Sequence, residues 1–248
     1  MARTDGRGFD QLRPVELIPG FLELHPASCL IKMGRTWVLC AASVEERVPP
    51  FLEGKDQGWV TGEYAMLPAS TGRRTPRERQ SGGRTQEISR LIGRALRAAV
   101  DMKMLGPRTI TVDCDVIQAD GGTRTASVTG GYVALVLALR GLEARGVLKA
   151  SPLRKAVAAV SAGVVDKELL LDLDYGEDSR ADADLNVVMN EAGELVEVQG
   201  TAEGYPFAQS ALQQLVGLSR QGIEQLSEAQ RRALGVAELP RPKASGGS

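Results

Sequence analysis

Residues 115–131 read "DVIQADGGTRTASVTGG". Before this stretch, residues 109–118 alternate around Ile110, Val112, Cys114 and Val116, the period of a β-strand with one buried face. After it, Val128, Tyr132, Leu135, Leu139 and Leu142 recur at helical spacing, while Val133, Val136 and Leu137 fall off that stripe. A helix that is apolar nearly all round has no solvent face and belongs between layers. The join between strand and helix is Gly121-Gly122, followed by Thr123, Arg124 and Thr125. Glycines let backbone N–H groups come close to a ligand, and the first turn of a helix leaves its N–H groups without intrahelical partners. Two hydroxyls and a forked guanidinium beside such a turn suit an anion. The same residues also fit a plain strand-to-helix turn with a surface arginine. Neither GxxxxGK[ST] nor GxGxxG occurs, so neither common nucleotide fingerprint applies.

Working outward, Ile88, Leu91, Ile92, Ala95, Leu96, Ala99 and Val100 mark one face of an amphipathic helix, with Arg90, Arg94, Arg97 and Asp101 opposite. The segment 28–46 predicts a hairpin turning at Met33-Gly34-Arg35, and 58–67 a further strand. Residues 68–83 are rich in Pro, Gly, Ser and Arg and read as an exposed loop. The second half repeats the order, with strands at 156–166, 168–174, 183–190 and 194–199 and a helix from about 207 to 226. Strands followed by a helix, twice, predict an α+β sandwich of two similar halves packed as one domain over residues 1–238. The polar tail 239–248 is expected to be disordered.

The composition narrows the chemistry. Of 248 residues, 43% are hydrophobic and 25% charged, and the net charge is −1, which is ordinary for a globular protein. No apolar run approaches the roughly 18 residues of a membrane span, and "MARTDGRGFDQLRP" has no apolar core of a signal peptide, so a cytoplasmic protein is expected. Cys29, Cys40 and Cys114 lie in strand-like segments without metal-ligand spacing and read as reduced core residues. With His25 as the single histidine, beside a proline, a two-histidine mechanism is unavailable, a catalytic triad would lack a GxSxG serine, and a zinc site would have one His and scattered Cys. Chemistry here rests on Asp/Glu, Arg, Lys or a hard cation.

Two blocks of charge supply those groups. Residues 71–97 hold eight Arg against two Glu, and residues 165–203 hold twelve Asp/Glu against two Lys/Arg. Arginine without lysine favours bidentate phosphate contacts and stacking on bases, as for a single-stranded nucleic acid, although a salt-bridged contact between subunits would use the same residues. In "DLDYGEDSRADADLN" (172–186), the sixth position lacks the glycine of an EF-hand whether counted from Asp172 or Asp182. Asp182 and Asp184 alternate on one side of a strand and Asp178 precedes them in a turn. Such carboxylates suit Mg²⁺ or general acid chemistry, and equally a solvated acidic loop.

Together, "QLRPVEL", "GWVTGEYAMLPAST", "GGRTQEISRLIGRALRAAVD", "DCDVIQADGGTRTAS" and "DLDYGEDSRADADLNVVM" resemble the ribonuclease PH family from about residue 8 to 235. The resemblance implies a ribosomal-protein-S5-domain-2-like fold, assembly as a homohexamer (a trimer of dimers) and a phosphorolytic 3′→5′ exoribonuclease, or tRNA nucleotidyltransferase, acting on tRNA precursors. It implies inorganic phosphate as co-substrate, held by Arg84, Gly122, Thr123, Arg124 and Thr125. It further implies a divalent metal such as Mg²⁺ and catalysis at Asp178 and Asp184, with Asp182 ranked below them, and RNA contacts from Arg73, Arg74, Arg77 and Arg79. A catalytically silent RNA-binding ring subunit and a metal-dependent hydrolytic nuclease stand as alternatives.

Overall fold

In the computed structural model, residues 3–76, 82–203 and 206–235 are described. The first half is a five-stranded sheet of β1 (Val15–Pro19), β2 (Ser28–Met33), β3 (Thr36–Glu45), β4 (Trp59–Met66) and β5 (Thr109–Gln118), in the order β1-β2-β3-β5-β4. Its pairs are antiparallel except β4 with β5. That parallel pair needs a crossover, which is provided by α1 (Gly83–Ala98) and the single turn α2 (Met102–Leu105). The expected helix face is the one α1 buries, through Ile88, Leu91, Ile92, Ala95 and Leu96. Helix α1 stops at Ala98, short of the expected Val100, because Asp101 accepts hydrogen bonds from Lys103 and Met104 N–H and starts a new helix.

Helix α3 (Thr123–Ala144) follows β5 and crosses the middle of the molecule, with every residue from Thr125 to Val136 buried. Against it lies a second, antiparallel sheet in the order β7-β6-β8-β9, made of β6 (Val157–Val165), β7 (Glu168–Leu171), β8 (Ala183–Asn190) and β9 (Leu195–Ala202). The one-turn helix α4 (Tyr175–Asp178) links β7 to β8, and α5 (Gln209–Leu234) packs on β6. One apolar core runs through both sheets and α3. Close approach is required at Gly130, where a Cβ would sit 2.7 Å from Ile31 Cγ2.

Among the described residues, α3 is the one helix whose length and mean hydropathy would suffice to cross a membrane, against the expectation of no such apolar run. In this fold 83% of that window is buried, so α3 is a core helix. All three cysteines are free and buried, as expected. His25 sits in a turn, where its Nε2 lies 3.0 Å from the Ala42 carbonyl oxygen. The tail 239–248 lies outside the described residues.

The N-terminal segment ties the halves together. Arg13 is buried and grips Asp172, itself 0% exposed, through Nη2 (2.7 Å), Nε (3.0 Å) and its backbone N–H (2.8 Å). Burial works against the Arg13 charge, yet Asp172 outweighs it and holds the guanidinium protonated above its usual range. Arg3 likewise donates to both Glu177 oxygens (2.7 and 2.6 Å) and to the Leu171 and Asp172 carbonyls (2.8 and 2.9 Å). Glu177 also forms a capping box with Asp174. These bonds account for α4, since a helix of one turn does not hold itself together in water.

Candidate active site

The two halves meet at a cleft of about 1250 Å³, open to one side. Its floor is the Asp120–Arg124 turn. Thr36 Oγ1 accepts from Asp120 N–H (2.9 Å) and donates to the Gly121 carbonyl (2.6 Å), while Arg13 Nη1 donates to the Asp120 carbonyl (2.5 Å). Gly121 and Gly122 both have left-handed φ, 76° and 65°. The reason for glycine at 121 differs from the expected one. A Cβ there would lie 2.6 Å from the Leu173 carbonyl oxygen and 2.8 Å from Tyr175 N, so the turn packs directly against second-half backbone. At Gly122 a Cβ would meet Arg13 Nη2 at 2.9 Å.

Helix α3 starts at Thr123 without any side-chain cap, and Gly122, Thr123 and Arg124 line the cleft. Its unpaired N–H groups and positive dipole end therefore open where an anion would sit. Thr125 is placed differently, buried with its hydroxyl donating back to the Gly122 carbonyl (2.9 Å). It braces the turn and does not line the cleft. The Thr123 hydroxyl is 2.8 Å from the buried Tyr64 hydroxyl, whose proton affinity is raised by burial.

Cationic side chains surround this turn. Arg84, near the start of α1, lines the cleft, as do Arg73 and Arg35. Arg124 Nη1 donates to Gln199 Oε1 (3.0 Å) and Glu87 Oε1 (3.3 Å), so the guanidinium is braced by α1 and β9. Gln199 is held in turn by Glu197, which forms a two-pronged pair with Arg94 (2.8 and 2.5 Å). Arg74 is exposed away from the cleft, and Arg77 and Arg79 lie outside the described residues.

The acidic stretch divides into two groups. Asp172, Asp174 and Glu177 are buried in ion pairs and caps, whereas Asp178 and Asp184 line the cleft wall opposite the arginines. Burial raises the proton affinity of Asp178, opposed by Arg84, Arg124 and Arg13. Burial also raises that of Asp184, with the Asp178 charge adding to it. Asp182 precedes β8 and is exposed, outside the cleft lining, although its alternation with Asp184 put both on one side in the sequence reading. Among the described residues no three His, Cys, Asp or Glu side chains gather as a metal cage. Two carboxylates that repel one another beside an anion site do fit Mg²⁺, which takes one or two carboxylates together with substrate oxygens and water.

Several lining residues were not singled out from the sequence. Ser161 on β6 and Asn186 on β8 are register partners and reach the cleft, while Asp120 carries Arg35 at 3.0 Å. Asn186 follows Asp184 by two along a strand, and that spacing alone could have found it. Tyr64 carried no local signal.

Comparison with known proteins places the chain in a family. Residues 11–140 match the model of the 3′ exoribonuclease family, domain 1, and residues 155–222 that of domain 2. The chain is 57% identical over 234 residues to the ribonuclease PH of Neisseria gonorrhoeae, covering 93% of this chain and 97% of that one. It is 56% identical over 238 residues to the ribonuclease PH of Moorella thermoacetica, covering 95% of each. Similar solved structures include rice Rrp46, with TM-score 0.76 at 19% identity over 94% of this chain and 100% of that one. The Archaeoglobus fulgidus exosome with RNA bound to the active site gives 0.77 at 24% identity over 92% of each chain. At these identities the structures speak to the fold.

Proposed function

The chain belongs to the ribonuclease PH family of 3′ exoribonucleases, and from that premise we propose that the cleft removes the 3′-terminal nucleotide of RNA by phosphorolysis. The observation that carries this reading is the pairing, across one cleft, of an uncapped helix start flanked by Arg84 and Arg124 with the carboxyl groups of Asp178 and Asp184. A hydrolytic nuclease would use the carboxyls and leave the anion turn idle.

Inorganic phosphate is the attacking group, oriented by Arg84, Arg124, the Thr123 hydroxyl and the first N–H groups of α3. It attacks the phosphorus of the last phosphodiester, and the bond from that phosphorus to the preceding 3′-oxygen breaks. The departing oxygen takes a proton from a carboxyl of Asp178 or Asp184, whose raised proton affinity suits a general acid. The products are a nucleoside 5′-diphosphate and an RNA one nucleotide shorter, and the reaction also runs in reverse to add nucleotides. Mg²⁺ held at the Asp178–Asp184 pair, by whichever carboxylate is ionised, would neutralise charge building on the reacting phosphoryl group. The substrates are single-stranded 3′ ends, those of tRNA precursors above all, with Arg73, Arg74, Arg77 and Arg79 as the RNA-contacting loop. The working form is a homohexamer in the cytoplasm, with residues 1–238 as one catalytic unit, since both halves line the cleft.

Incubation of 3′-extended tRNA with the protein should yield nucleoside diphosphates only when phosphate is supplied. Release of monophosphates in phosphate-free buffer would favour hydrolysis, and no shortening at all would favour a silent ring subunit. Arg84→Ala and Arg124→Ala should each raise the phosphate KM roughly 10- to 150-fold, the loss of one charge-assisted contact of about 1.5–3 kcal/mol, with far less effect on RNA binding. RNA affinity falling while the phosphate requirement stays unchanged would show that the arginines serve a different ligand.

A further inference from the structure

Within the cleft one side chain offers a flat, exposed aromatic face. Tyr175 lines the wall and is 67% exposed, in a lining of arginines, carboxylates, hydroxyls, backbone and the small or flexible apolar side chains of Ala69, Ala119 and Met66. It is the only aromatic residue among the described residues lining the cleft, in a chain that has 4 Tyr, 4 Phe and 2 Trp in all. Among the described residues its hydroxyl has no side-chain partner, so hydrogen bonding does not explain its position. Tyr64 shows the contrast: it is buried, with its hydroxyl engaged to Thr123.

We propose that Tyr175 is a base-stacking platform for RNA, receiving one of the two bases that flank the scissile phosphodiester. The inference rests on the phosphorolytic reading of the cleft and adds to it a residue that holds the nucleobase. Tyr175 stands three residues before Asp178 on α4, and positions i and i+3 of a helix are neighbours on one face. An RNA whose last phosphodiester lies at Asp178 therefore brings an adjoining base to the ring. Every base has a π-face, so an aromatic platform grips all four alike, which suits an enzyme that must remove successive nucleotides whatever their identity.

The support beneath the ring is rigid. Tyr175 is the first residue of α4, and its backbone N is packed on Gly121, the glycine of the anion turn. Glu177, two residues on, is fastened by Arg3 and by the capping box with Asp174. Stacking on this ring thus orders a side chain but no backbone, and the backbone that carries the ring stays against the anion turn.

The test uses the full chain and single-stranded oligoribonucleotides that are intact, abasic at the terminal nucleotide, or abasic at the penultimate one. RNA affinity is read by filter binding without phosphate, and the phosphate KM by trimming. Tyr175→Ala should weaken binding of the intact RNA roughly 5- to 150-fold, the range for loss of one base–aromatic stack. Tyr175→Phe should bind like the parent, and the phosphate KM and sedimentation profile should not move in either variant. One of the two abasic RNAs should bind the parent as weakly as the intact RNA binds Tyr175→Ala, and the alanine change should then cost nothing further. An alanine effect of equal size on both abasic RNAs would overturn the platform, as would no effect on intact RNA or a changed sedimentation profile. Because binding is read without phosphate, a parent protein that releases monophosphates would sink phosphorolysis while leaving the platform to be judged on its own.

Discussion

Arg13→Ala is expected to lower the stability of the folded chain by about 3–5 kcal/mol, the usual cost of stranding one member of a buried ion pair. The stranded member is Asp172, which is fully buried and takes two guanidinium bonds from Arg13. Arg7, at 3.6 Å from the same carboxylate, replaces part of the lost field and favours the lower end of that range. Removing the acid as well should recover much of the loss, because the cost lies mainly in the uncompensated charge and not in the missing bond. The second change is best made as Asp172→Asn, since residue 172 has φ 54° and asparagine tolerates that left-handed backbone better than alanine. Thermal midpoints compared at one protein concentration would show it, with Arg13→Ala well below the parent and the double variant between them. Equal midpoints for Arg13→Ala and the parent would mean that Asp172 does not rely on Arg13. A loss of turnover should accompany the lost stability, because the same guanidinium holds the Asp120 carbonyl of the anion turn.

That pair also marks where reading the sequence stops. Helix α3 was legible because its apolar residues leave no polar face, and the β2–β3 hairpin because Gly34 separates two apolar runs. The cleft's anion turn and its two carboxylates were legible as residue types at informative spacings. Which acids of 172–184 are buried was not. Asp172 meets Arg13 across 159 positions and Glu177 meets Arg3 across 174, and no local pattern encodes such partners. The second-half backbone against Gly121 is a tertiary contact of the same kind, so the glycine was legible while its reason was not. Asp182 shows that a shared face is not a shared site: it and Asp184 flank buried Ala183, yet only Asp184 lines the cleft. Alternation fixes the side of the sheet, whereas position along it, one residue before β8 begins, sets Asp182 beyond the cleft.

Asp178→Asn and Asp184→Asn should separate catalysis from folding. Each change keeps the shape of the side chain and removes a charge that feels the cleft arginines, Arg84 and Arg124 for Asp178 and Arg124 for Asp184. If one of these carboxyls delivers the proton to the leaving oxygen, its loss costs roughly 10²–10⁴ in rate, and a weakened hold on the divalent ion adds to that. Stability should move the other way. Both carboxyls bind protons more tightly in the folded chain than an unfolded Asp does, so the folded state is favoured while they are protonated. That advantage is lost as pH rises through the raised folded value. At neutral pH the two charges therefore work against the fold, and asparagine should leave the midpoint of the metal-free protein unchanged or higher. RNA affinity should hold or increase as repulsion of the backbone falls. Single-turnover trimming beside filter binding and a melting curve for each variant would separate the terms. Near-normal turnover in both would show that the pair is a solvated acidic wall, whereas a fall in turnover matched by a fall in midpoint would make its role structural.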